Sequence, residues 1–177
     1  NSNNSNNNND NKGETLTVRN KIVNEILEML PTGNTQLDDD LFMICCKNGA
    51  ISGAFLRAIS TKQIIIALEL LSRTEDGCES DSTDLLDSVY ERAIKCLNFN
   101  DASIRISVLR FLVARNESKR LPIGFIKENI RTRNFTLRNA LLVAISQIAT
   151  NGIRLPNYII EMCFMRLDET ILASTVV

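Results

Sequence analysis

Apolar residues recur at helical spacing along nearly the whole chain. In ETLTVRNKIVNEILEML, positions 14–30, Leu16, Ile22, Val23, Ile26, Leu27 and Leu30 fall on one stripe. The turn sequence Pro31-Thr32-Gly33-Asn34 then stops the helix. The same periodicity predicts helices over 38–47, 51–59, 61–73, 83–97, 101–115, 121–132, 135–150 and 156–166. Asp38, Asp39 and Asp40 would lie in the first turn of the second helix, where they complement the positive end of its dipole, and Asn48-Gly49 would end it. A helix start accounts for the three aspartates more simply than a metal site. No stretch sustains strand-like alternation, so strands are not expected. Ahead of the first helix, NSNNSNNNNDNKG has no apolar residue to bury and reads as a disordered Asn-rich leader, positions 1–13. Position 14 onward reads as one helical domain.

Two of the helix openings nearly coincide. SIRISVLRFL begins at Ser103 and TLRNALLVAI at Thr136, 33 residues later. At that offset Ile104 meets Leu137, Arg105 meets Arg138, Val108 meets Leu141, Leu109 meets Leu142 and Leu112 meets Ile145. With one inserted residue, Leu121-Pro122 meets Leu155-Pro156, Ile126 meets Ile160 and Ile130 meets Phe164. The repeated unit is therefore a first helix, a polar loop, Leu-Pro and a second helix, with proline where its missing N–H costs nothing. Ala93 and Leu97 supply an earlier second helix, and DETILASTVV, from Asp168, begins what reads as a further first helix. The chain is thus expected to be a piece of a longer protein, truncated inside a repeat, with an open C-terminal edge through which copies could self-associate.

A period of 33–34 also suits tetratricopeptide and ankyrin repeats, but the motifs of neither occur. The junction LNFNDASIRISVLRFLVA, with an acidic turn before an aliphatic-Arg pair and an apolar run, resembles HEAT and armadillo-type repeats. The resemblance covers positions 83–177 well and 14–82 loosely, with degenerate motifs and a short period. It implies an all-α fold, a right-handed α-solenoid of antiparallel helix pairs. It also implies inter-repeat hydrogen bonds by Asp101 with Arg105, and by Arg138, a structural role.

Composition narrows the chemistry. Aromatics are 5% and Trp is absent, so the core must be aliphatic, and there is no His to act as a base or metal ligand. The five cysteines, Cys45, Cys46, Cys78, Cys96 and Cys163, include no C-x-x-C pair and read as reduced thiols of an intracellular protein, mostly buried, with Cys78 exposed in the acidic loop TEDGCESD. The triplets at Asn116 and Asn134 match the glycosylation pattern by chance, since no secretion signal accompanies them. The most apolar run, QIIIALELL, is too short to span a membrane. No nucleophile elbow, phosphate loop or paired-carboxylate motif occurs, so no catalytic residue, metal or cofactor is expected and the chain reads as a non-enzyme.

Charge is the one asymmetry that points to a partner. Positions 1–94 carry 8 basic and 15 acidic side chains, whereas 95–177 carry 12 basic and 6 acidic. Arg92, Lys95, Lys127, Arg131 and Arg133, on second helices and their ends, are candidates for one basic face that attracts an acidic protein segment. The bland alternative is a solvated surface. The functional alternative is a nucleic-acid (RNA) module, disfavoured because the nearby aromatics have the spacing of core residues rather than of a stacking platform. The expectation is a protein–protein interaction scaffold in the cytoplasm or nucleus.

Overall fold

The computed structural model describes residues 7–73 and 83–174. Among them all regular structure is helical: α1 (Asn7–Met29), α2 (Thr35–Lys47), α3 (Ile51–Arg57), α4 (Thr61–Arg73), α5 (Thr83–Cys96), α6 (Ala102–Ala114), a short 3-10 turn (Ser118–Arg120), α7 (Ile123–Asn129), α8 (Phe135–Thr150) and α9 (Asn157–Ser174). Helix α1 starts upstream of the expected Glu14, so its backbone takes in part of the expected leader. The leader expectation for residues 1–6, and the acidic loop with Cys78, lie outside the described residues. The described residues divide into two compact units, Asn1–Ala67 and Leu68–Val177.

In the first unit α1, α2 and α3 pack on one another around Val23, Leu30, Phe42, Cys45, Ala54 and Phe55, all buried. The α1 stripe is narrower than the periodicity suggests, because Ile22 faces solvent. Gly53 lies tight against α1: a Cβ there would sit 2.7 Å from Leu27 Cδ1. Helix α2 begins before the aspartates because Asn34 caps it, its Oδ1 accepting from the Gln36 and Leu37 amides at 3.1 and 3.2 Å. Asp38 stays in the first turn, yet it is buried and accepts from the Thr32 amide and hydroxyl at 2.7 Å each, so it ties down the preceding turn. Asp39 instead accepts from Gln63 Nε2 at 2.8 Å and pairs with Lys62 at 3.2 Å. Ser60 and Gln63 form a reciprocal capping box at the start of α4: the Ser60 hydroxyl accepts the Gln63 amide, and Gln63 Oε1 accepts the Ser60 and Ile59 amides.

In the second unit α6 and α8 make the most extensive helix contact, α5 packs on α6, and α7 packs on α8. Most of the repeated first-helix positions are used alike: Ile104 and Leu137, Val108 and Leu141, and Leu112 and Ile145 are all buried, but Leu109 is buried where Leu142 is only half-buried. Each such side chain contributes about 1.5–3 kcal/mol by leaving water. Both helices end on a left-handed residue, Asn116 at φ 56° and Gly152 at φ 75°. Polar side chains stitch the C-terminal ends together. Arg115 Nε donates to Leu71 O at 2.9 Å, and Gln147 Nε2 donates to Val113 O at 2.9 Å while its Oε1 accepts from the Ser118 hydroxyl.

The second helices diverge from the expected alignment. Ile126 of α7 and its C-cap Ile130 are 0% exposed, but their α9 counterparts, Ile160 and Phe164, are 40% and 64% exposed. Helix α9 buries Ile159 instead. Helix α7 packs against α8, whereas Ile160 and Phe164 line an open cavity of about 570 Å³ with Ile145, Ser146 and Ala149 of α8. Helix α9 also runs on through Asp168 to Ser174, where a separate first helix was expected.

Candidate functional site

The residues expected to join repeats prove unlike one another. Asp101 caps α6, its Oδ1 accepting from the Ser103 and Ile104 amides at 2.8 and 3.4 Å, and it meets Arg105 through the backbone, its carbonyl accepting from the Arg105 amide at 3.2 Å, while the Arg105 guanidinium goes to other partners. Arg105 does bridge between units of the pattern. Its Nε donates to Leu97 O at 3.1 Å, just after α5, and its Nη1 donates to Asn129 Oδ1 at 3.3 Å, in α7. Asn129 is buried in the row Phe125, Ile126 and Ile130, and is held by its own Nδ2 donating to Phe125 O at 2.9 Å. Arg138, one period on, lies over the Phe135 ring at 5.6 Å, and its buried Nε has no hydrogen-bond partner among the described residues. The sequence explains the difference: at the position aligned with Asn129 stands Cys163, whose sulfur is a weak acceptor.

The basic candidates separate by exposure. Lys95, Lys127, Arg131 and Arg133 are exposed, and none forms an ion pair among the described residues. Arg92 is half-buried beside Cys96, whose thiol is pushed up by burial and eased back by that guanidinium. Lys95 and Lys127 occupy the last turns of α5 and α7, where a cation also complements the dipole. Because one Arg105 guanidinium holds both Leu97 and Asn129, these two C-terminal ends lie side by side. Lys95 and Lys127 are each two residues from an Arg105 partner.

Elsewhere, Lys62, Lys119 and Arg120 are already paired. Arg120 joins Asp87 at 2.9 Å and Glu117 at 3.0 Å, and stacks over Tyr90 at 4.6 Å. Cys45, Cys46 and Cys96 are buried free thiols, and burial, with Cys45 alongside, pushes Cys46 up to about 11. No group of three potential metal ligands lies together among the described residues, and no helix among them is long and apolar enough to cross a membrane. The reading from sequence missed Asn129, Ser118 and Gln147 as linking residues. Only Asn129 had a visible mark, as a polar residue within the apolar face of a second helix. No family model matches the chain, and no curated protein or solved structure matches it.

Proposed function

We propose that the chain is a segment of a HEAT/armadillo-like α-solenoid that acts as a protein–protein interaction scaffold, without catalysis of its own, in the cytoplasm or nucleus. Its exposed Lys95, Lys127, Arg131 and Arg133 take an acidic peptide or helix of the partner. The observation that carries this reading is that these cations are solvent-facing and unpaired among the described residues, while Arg105 holds the ends of α5 and α7 together. Like charges on one face repel modestly in water, at about 1 kcal/mol for a 4 Å pair and less when farther apart. An acidic partner relieves that repulsion and is steered onto the site. The repeated burial along α6 and α8, and the Arg105 bridge, support the stacked arrangement. On the same reading, exposed Ile160 and Phe164 mark an edge where a further repeat helix or a second copy packs.

Affinity capture with the chain and with its Lys127→Glu/Arg131→Glu form tests the proposal. The expected result is a partner held through an acidic segment, lost on deleting that segment and lost with the double reversal. Exposed charges contribute little to stability, so circular dichroism should be unchanged. Recovery unchanged by the reversal, or capture of RNA in place of protein with a steep salt dependence, would refute it.

A further inference from the structure

A second concave feature lies away from the basic ends of α5 and α7. Between the C-terminal half of α6 and the N-terminal half of α8 runs a groove of about 470 Å³, within the usual range for binding clefts. Arg110, Val113 and Ala114 line one side, and Phe135, Asn139, Ala140 and Val143 line the other. The spacings i, i+3, i+4 on α6 and i, i+4, i+5, i+8 on α8 show that each helix offers one continuous strip. The groove exists because Ala114 and Ala140 are small, while Phe135 and Val143 stand up as walls and remain exposed. From Phe135 to Val143 is eight residues, about 12 Å of helix at a rise of ~1.5 Å per residue. Two turns of a docked helix fit that length.

Charge selects the occupant. Arg110 is exposed with no ion pair among the described residues, Arg138 lies over the Phe135 wall, and no carboxylate lines the groove. We infer that this groove docks a short amphipathic helix of a partner protein, two apolar side chains one turn apart seated over Ala114 and Ala140 and an Asp or Glu meeting Arg110. The proposal deepens the protein-binding reading only in taking a protein as ligand; it names a different surface, and either site can fail alone.

The test is fluorescence anisotropy with labelled twelve-residue peptides repeating leucine and glutamate at helical spacing, and the same peptides with lysine for glutamate. The leucine–glutamate peptide should bind, and Arg110→Glu should weaken it by about tenfold or more, since a charge-assisted hydrogen bond becomes a repulsion. Ala140→Trp should fill the groove and abolish binding. Val143→Glu, at a position already exposed, should weaken binding without risk to the fold. Lys127→Glu/Arg131→Glu should leave this binding unchanged, which separates the groove from the basic ends. Equal binding of the lysine peptide would overturn the inference. So would insensitivity to Ala140→Trp and Val143→Glu, displacement governed only by Lys127 and Arg131, or no binding up to about 1 mM.

Discussion

Arg105 and Arg138 stand one period apart on equivalent helices, yet removing Arg105 should destabilise the fold while removing Arg138 should not. In Arg105→Met the stem of the side chain is kept and two donors are lost, one to Leu97 O at 3.1 Å and one to Asn129 Oδ1 at 3.3 Å. Hydrogen bonds from a charged donor are worth about 1.5–3 kcal/mol each, and a part-buried site near solvent recovers some of that through water. The expected loss is therefore about 2–3 kcal/mol in total. In Arg138→Met the lost Nε is buried without a hydrogen-bond partner among the described residues, so its desolvation penalty, about 1–3 kcal/mol, disappears. The ring contact with Phe135 at 5.6 Å is lost as well, at about 0.5–1 kcal/mol. The net expectation is neutral to stabilising by about 1–2 kcal/mol. Urea unfolding followed by helical circular dichroism would measure both, with matching slopes required for the comparison. Equal destabilisation by the two substitutions would refute the assignment of Arg105 as a bridge and Arg138 as unbonded.

Ile126→Ala should cost about 2–5 kcal/mol, whereas Ile160→Ala should cost under about 1 kcal/mol, because only the former leaves a cavity; similar losses in denaturant titrations would restore the alignment expected from sequence. Asp101→Ala removes the α6 cap and should cost about 1 kcal/mol in the same assay, with Asp101→Asn largely tolerated. The Asp39 carboxyl is held below its ordinary 3.8 by Gln63 and then Lys62, so its contribution is present above that pH and lost as pH falls below it; stability curves of Asp39→Asn and the native chain should converge at acid pH. Cys46, pushed up to about 11 from 9.0, contributes stability that is present below pH 9 and lost as pH rises toward 11, and it should resist alkylation at pH 8 until the chain unfolds, as mass spectrometry of the labelled protein would report.

Helix positions were largely legible because they rest on local periodicity and punctuation. Helices α4 and α8 occupy the residues the apolar spacing predicts, and Asn48-Gly49 ends α2 as expected. What a face meets is not local. Ile160 and Ile126 are the same residue type in the same position after Leu-Pro, yet Ile126 is buried while Ile160 lines an open cavity beside α8. Asp38 and Asp39 read as dipole partners from sequence, while their main bonds are to Thr32 and Gln63, one across a turn and one to another helix. The exposure of Lys95, Lys127, Arg131 and Arg133 could be anticipated from the helical stripe. The closeness of the C-terminal ends of α5 and α7 rests on Arg105 with Leu97 and Asn129, the latter 24 residues from Arg105 in the chain. The α6–α8 groove carries no motif at all, since small residues on both helices, Ala114 and Ala140, line it.

The proposed role of the basic residues is tested most directly by the ionic-strength dependence of association with a labelled polyglutamate peptide, measured by stopped-flow for the native chain and for Lys127→Glu/Arg131→Glu. The association rate of the native chain should fall severalfold between low and physiological salt, as screening shortens the reach of the cations to about 8 Å. The double reversal should bind more slowly at low salt and lose most of that dependence. An association rate insensitive to both salt and the reversal would contradict the proposal and leave these cations as a solvated surface.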